Sequence, residues 1–367
     1  MPIARRNYVV PAIAARARAG WPVSAVARLA LALAGALAVL GWLTAPAGGA
    51  IAFNLTSDPG MDPAAMAGFQ AAADAWSQRI VTPITVNIKV AFSPMESIYL
   101  GQTSPSLTMV PYSNFRTALA AAGTSAADAQ ALGSLPASSF GMLINRTANN
   151  PNGAGSDVPY LDLGTDQNNA YLQMSRANAK AVGVLGASSN LDGTITFNST
   201  SNWSFSRSGG VPSDAYDFVG AAMHEIGHVL GFLSGIERLD SGTRLDYNCW
   251  NVTPLDLFRY SVDSTASGVI DWTSDARAKY FSLDHGLTNL GGFATGPLYG
   301  DGRSASHWKL QTPPLGLMDP TLVLGELGVV SNLDLTAMDV IGYEVVPEPC
   351  TLSLVLVGAW VLRRRRI

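Results

Sequence analysis

Cysteine is almost missing from this chain: Cys249 and Cys350 are the two in 367 residues. So few thiols exclude a disulfide-stapled scaffold and a cysteine-ligated zinc module. Charge is also sparse, at 14% of residues against 48% hydrophobic, which excludes a disordered chain. Basic residues are scarce across most of the length. Five arginines lie in the first 50 residues and four more, Arg363 to Arg366, close the chain. Between Ile51 and Pro347 only 14 basic residues face 26 acidic ones, a net charge of −12. An acidic body with no basic stripe excludes nucleic acid as a partner.

What is present at the two ends reads as an address. Residues 29–43 (LALALAGALAVLGWL) are uninterruptedly apolar, preceded by arginines and no acid, and followed by the small residues 45–50 (APAGGA). That is the three-part pattern of a secretory signal, expected over residues 1–50. The run is shorter than the roughly 20 apolar residues of a membrane-spanning helix. At the other end Val346-Pro347-Glu348-Pro349 leads into the apolar residues 350–362 and then Arg363 to Arg366. An arginine cluster behind an apolar run stays in the cytoplasm and leaves the preceding chain outside. Pro-Glu-Pro, apolar segment and arginine cluster, in that order over residues 346–367, resemble the PEP-CTERM sorting signal of Gram-negative bacteria. The resemblance implies an exosortase-type processing enzyme as partner and membrane contact through the tail, a transient inner-membrane anchor. Its implied destination is the cell surface or extracellular matrix.

One domain is then expected over residues 51–345, with an N-lobe at 51–232 and a C-lobe at 233–345. Asp62-Pro63 opens a helix expected over residues 62–80, with Met66, Phe69, Ala73 and Trp76 at helical spacing. Residues 84–92 alternate as a strand, and residues 107–110 suggest another. Helices are expected at 114–122, 125–132, 168–180 and 333–341, the last capped by Ser331 or Asn332. Residues 145–159 read as a surface loop. Residues 194–197 read as a strand, expected by general plan to be the edge to which an extended peptide adds. From 239 to 312 the periodicity is poor, which predicts a loop-rich subdomain. Trp203, Trp250, Trp272 and Trp308 are expected in the core or at its rim.

Chemistry concentrates in residues 212–232, PSDAYDFVGAAMHEIGHVLGF. Ser213 or Asp214 is the expected helix start and Gly231 the stop. On that helix His224 and His228, four residues apart, project from one face and can share a zinc ion. Glu225 can take a proton from a water whose pKa the zinc lowers. His and Glu inside so apolar a stretch are costly without a task, and two of the chain's four histidines are here. A catalytic zinc needs a third ligand, and Ser234 stands where the short-spacer pattern would put a histidine. The candidates are Glu237, Asp240, Asp246, His285 and His307.

His307 lies in Ser304-Ala305-Ser306-His307-Trp308-Lys309, with Met318 eleven residues later in Gly316-Leu317-Met318-Asp319-Pro320. HExxHxxGF followed after a long insertion by His-Trp and then a methionine resembles the leishmanolysin-type metzincins. The resemblance covers about a tenth of the chain. It implies an α+β metzincin-like zinc peptidase domain, with a twisted mixed sheet, an active-site helix and a loop-rich C-terminal lobe. It further implies Zn2+ as cofactor, His224, His228 and His307 as ligands, Glu225 as general base and Met318 as the Met-turn residue. Asp319-Pro320 stand where some metzincins carry a tyrosine, and no cysteine precedes the motif to act as a latency switch.

The expected function is an exported zinc-dependent endopeptidase acting on a protein or peptide substrate. Three alternatives remain: a thermolysin-like ligand set using Asp246, a non-enzymatic surface or biofilm-matrix protein with a structural zinc, and a zinc hydrolase of a non-peptide substrate. His285 reads as a surface-loop histidine.

Overall fold

The N-terminal part of the body is built on alternation. The computed structural model describes residues 49–96, 99–242 and 251–346; the expected signal and sorting segments, Asp246, Trp250 and both cysteines lie outside them, apart from residues 49, 50 and 346. Strand β1 (Ala52–Ser57) leads into helix α1 (Pro63–Ser77), and strand β2 follows at Thr85–Ser93. Asp62 caps α1, its Oδ1 accepting from the Ala64 and Ala65 N–H groups, with Pro63 in the first turn. Strands β3 (Gly101–Pro105) and β4 (Leu107–Pro111) come next, then helices α2 (Tyr112–Ala122) and α3 (Ala126–Ser134). Short strands β5 (Met142–Ile144) and β6 (Tyr160–Asp162) flank the expected loop.

Residues 168–180 are not one helix. Helix α4 is only Gln167–Ala170, strand β7 runs Tyr171–Ser175, and helix α5 is Arg176–Ala181. Leu172 and Met174 point inward at a spacing of two while β7 pairs antiparallel with β4. Strand pairing thus overrides the local helical composition.

Strand β8 (Gly193–Asn198) completes a four-stranded sheet of order β1-β2-β8-β3, parallel except for the antiparallel β3. The expectation that residues 194–197 form the edge is therefore wrong. β8 is interior, flanked by β2 and β3, and β3 is the edge. Two short strands, β9 (Trp203–Ser204) and β10 (Tyr216–Asp217), precede helix α6 (Phe218–Leu230). α6 starts later than Ser213 or Asp214 predicted, with Asp217 as its N-cap residue. The Asp217 carboxylate is occupied by Arg207 and the Gly328 N–H instead of capping.

Phe69 of α1, Phe197 of β8 and Phe218 of α6 meet with ring centroids 5.0–5.1 Å apart. Trp76 is fully buried and donates from Nε1 to the Met223 carbonyl of α6 at 2.9 Å. A side chain at Gly68 would meet the Phe218 ring at 2.4 Å, so a glycine is what lets these helices approach. Each buried aromatic contributes about 1.5–3 kcal/mol.

The expected loop-rich stretch is found. Helix α7 is only Ile236–Asp240, a 3-10 turn spans Leu255–Phe258, and helix α8 is Val262–Ala266. The strands β11 (Arg259–Tyr260), β12 (Ile270–Trp272), β13 (Lys279–Phe281) and β14 (Gly291–Phe293) are two or three residues long. β12 pairs with β5, and β11, β13 and β14 form a separate small sheet. Helix α9 (Asn332–Val340) closes the body, capped by Ser331. The protein is thus a mixed α+β fold with several small sheets. Trp203, Trp272 and Trp308 are all buried. Among the described residues no helix is long and apolar enough to cross a membrane.

Candidate metal centre

Gly231 ends α6 in the left-handed conformation, φ 113°, which glycine adopts without strain. The chain folds back there, so that the Phe232 carbonyl meets His228 Nδ1 at 2.8 Å. His224, one turn earlier, sets its Nδ1 2.8 Å from the Leu317 carbonyl. His307, on the segment after β14, sets its Nδ1 3.2 Å from the Ser304 carbonyl. A carbonyl can only accept, so each Nδ1 carries a proton, and in the neutral imidazole the Nε2 then keeps a bare lone pair.

Those three Nε2 atoms converge. The His224–His228, His224–His307 and His228–His307 separations are 3.1, 3.2 and 3.2 Å. Three lone pairs facing one another repel unless a cation lies between them. Metal–nitrogen bonds of about 2.0–2.1 Å at tetrahedral angles put ligand nitrogens roughly 3.3–3.4 Å apart, so the cluster fits such an ion closely. Burial and the neighbouring His224 push the His228 imidazole down to about 3. Burial, His228 and His224 hold His307 well below its ordinary value. Both therefore stay neutral, the form that binds metal.

Glu225 is half-buried in the same cleft, which is also lined by His224, His228, His307 and β3 residues Gly101 to Thr103 and has a volume of about 1030 Å³. The Thr103 hydroxyl donates to Glu225 Oε2 at 2.5 Å. Burial raises the carboxyl above its usual range, opposed by His224 and the Thr103 hydrogen bond. Met318 is fully buried under α6, its sulfur 2.6 Å from where a Cβ at Gly227 would be. Only glycine at the fourth position of His224-Glu225-Ile226-Gly227-His228 admits that methionine.

The segment carrying His307 is clamped from several sides. Glu237 accepts from the Ser304 hydroxyl at 2.5 Å and from the Ser306 N–H at 3.2 Å. Buried Arg259 donates to the Ala305 carbonyl at 2.6 Å and the Ala294 carbonyl at 3.0 Å. Fully buried Asp334 accepts from Trp308 Nε1 and from the Leu317 and Met318 N–H groups, at 2.8, 2.7 and 3.2 Å.

Of the described residues weighed as third ligand, only His307 joins the other two, Asp246 lying outside the described residues; His224, His228 and His307 form the one group of three His, Cys, Asp or Glu side chains placed to hold a metal ion among the described residues. Glu237 serves as the clamp just described. Asp240 is buried and accepts from Ser274 Oγ and the Leu298 and Tyr299 N–H groups. His285 is exposed in a turn at φ 59°. Sequence reasoning missed Thr103, Arg259 and Asp334, which have no spacing relation to the motif. Compared with known protein families, curated proteins and solved structures, the chain matches no family model, no curated protein and no solved structure.

Proposed function

We propose that this protein is an exported zinc-dependent endopeptidase with a metzincin-like domain, in which His224, His228 and His307 hold Zn2+. The supporting observation is the convergence of three Nε2 atoms beside the Glu225 carboxylate in one open cleft. When bound, Zn2+ supplies Lewis acidity toward a peptide carbonyl and toward water.

The chain's own residues carry the remaining steps. Thr103 engages Glu225 Oε2, leaving Oε1 to take the proton of the attacking water and pass it to the leaving amine. Strand β3 ends its sheet, and its free edge suits an extended peptide pairing by strand addition. That role passes to β3 from residues 194–197. Met318 fills the space beneath the ligands as the Met-turn residue. The address segments at 1–50 and 346–367 complete the reading: export, processing by an exosortase-type enzyme, and residence at the surface or matrix of a Gram-negative bacterium.

The test is cleavage of an unfolded general protein substrate by the zinc-loaded protein beside its Glu225→Ala twin, each with and without chelator. Cleavage lost in the twin and on chelation, and restored by zinc, is expected. A zinc-loaded wild type that cleaves nothing contradicts the proposal and favours a structural zinc or a non-peptide substrate.

A further inference from the structure

A second group of convergent donors lies outside this cleft, where β6 runs into α4 along Asp162-Leu163-Gly164-Thr165-Asp166-Gln167-Asn168-Asn169. A Cβ built on Gly164 would stand 3.2 Å from Asp162 Oδ1, 3.2 Å from Asp166 Oδ1 and 3.3 Å from Asn169 Oδ1. Three oxygens therefore gather on the side of Gly164 where any other residue would carry its side chain. The φ of Gly164 is not in the left-handed region, so backbone conformation does not call for glycine there. Space does.

Asn169 is the telling member. It is fully buried, and its Nδ2 donates to the Phe140 carbonyl at 2.9 Å. That bond fixes the amide orientation and turns Oδ1 toward the two carboxylates, where it is a buried acceptor with no hydrogen-bond partner. A buried carbonyl oxygen left unpaired costs about 1–3 kcal/mol, and here it faces negative charge as well. Asp162 Oδ1 accepts from the Gly164 N–H at 3.1 Å and Oδ2 from Asn168 Nδ2 at 2.7 Å. The Asp166 carbonyl accepts from the Asn169 N–H at 3.2 Å, and its carboxylate does not cap the helix. A water has two hydrogens for three acceptors; a cation satisfies all of them together.

We propose that Asp162, Asp166 and Asn169 form a calcium site, with Gly164 as the residue that keeps a side chain out of it. Oxygen-only donors, two carboxylates and one amide, match a hard cation and not zinc. Calcium tolerates an irregular site that retains several waters, whereas magnesium demands near-ideal octahedral geometry. With only two charged donors and an exposed rim, affinity falls in the weak range of extracellular modules, a Kd of about 10⁻⁴–10⁻³ M. The ion would tie the end of β6 to Asn169, and through it to Phe140, whose ring packs on Tyr112 at 5.1 Å. The site does not depend on the peptidase reading.

The test uses the zinc-saturated full-length protein, dialysed free of calcium, in calorimetric titration and thermal unfolding with CaCl2 or MgCl2. Calcium is expected to bind and to raise Tm by about 2–4 °C when in tenfold excess over Kd. Magnesium at the same concentration is expected to give a clearly smaller rise. Asp166→Asn removes a ligand charge at an exposed position and should weaken calcium at least about tenfold while leaving the calcium-free Tm unchanged. Gly164→Ala sets a methyl against all three oxygens without altering charge and should abolish the calcium-dependent rise. No response of the wild type to calcium overturns the proposal. So does an equal response to magnesium, or a calcium response in both variants matching the wild type.

Discussion

Between residues 52 and 230 the fully buried groups are mostly apolar and recur at strand or helix spacing: Val86, Ile88 and Val90 on β2, Phe69, Ala72, Ala73 and Trp76 on α1. Between 234 and 340 the buried groups include Asp240, Asp256, Arg259, Asp271, Lys279 and Asp334, and regular elements are short. Asp256, for instance, accepts from Ser234 Oγ, the Gly235 and Thr253 N–H groups and Trp272 Nε1. The first region is ordered mainly by non-directional burial, with the buried Lys180–Asp192 ion pair as an exception, and the second by directional bonds to buried charges. The difference sets what each contributes to the centre. A helix delivers two imidazoles in fixed register by its own geometry, whereas a loop needs separate clamps to hold the third.

If that contrast is right, the largest loss comes from removing a clamp. Asp334→Ala orphans the Trp308 indole, the Leu317, Met318 and Ser331 N–H groups and the Ser331 hydroxyl. Denaturant unfolding should show a loss of about 3–5 kcal/mol.

Not every buried charge in this region is favourable. Burial, with Asp128 and Glu344 nearby, lifts the Asp339 carboxyl from its ordinary 3.8 to about 6, although the Ser125 hydroxyl donates to it. Between these values the folded protein holds a proton that the unfolded chain has released. The stabilisation from that proton is full below about pH 3.8 and is lost as pH rises through about 6. Asp339→Asn should therefore stabilise the protein by about 1–2 kcal/mol at pH 7 and flatten the pH 4–6 slope of thermal unfolding.

Thr103→Val tests whether the sheet edge also serves the centre. It keeps the shape and deletes the hydroxyl on Glu225 Oε2. A fall of about fivefold in kcat/KM is expected, roughly 1 kcal/mol, with zinc content unchanged. Because that hydrogen bond opposes the upward shift of Glu225, the acidic limb of the pH–rate profile should move up. The smallest effect belongs to the apolar region: Ile88→Val should cost about 0.5–1.5 kcal/mol, without changing zinc affinity. A cost there comparable to that of Asp334→Ala would remove the distinction between the two regions.

The same contrast explains what could be read in advance. His224, Glu225 and His228 lie within one helical turn, and the Gly231 stop is local chemistry, so the two-ligand half of the centre was legible. His307 and Met318 were reached through resemblance to a known motif, since nothing in residues 233–306 predicts their distance from α6. The clamps were invisible. Glu237 was read as a possible ligand because a carboxylate near the motif looks the same in sequence whether it meets a metal or a serine. Residues 171–175 are ambiguous in sequence because short apolar spacing suits helix and strand alike, and pairing with β4 makes them a strand. The edge position went to residues 194–197 because sheet order follows from long-range pairing that local patterning does not encode.

The claim that the two regions jointly build one metal centre is tested most directly by zinc stoichiometry and affinity, measured under chelator competition in the wild type, His307→Ala, His285→Ala and Asp246→Ala. The account predicts one zinc per chain, an affinity at least about 100-fold weaker in His307→Ala, and wild-type binding in His285→Ala and Asp246→Ala. Wild-type zinc affinity in His307→Ala, or its loss in Asp246→Ala alone, would contradict the account and move the third ligand elsewhere.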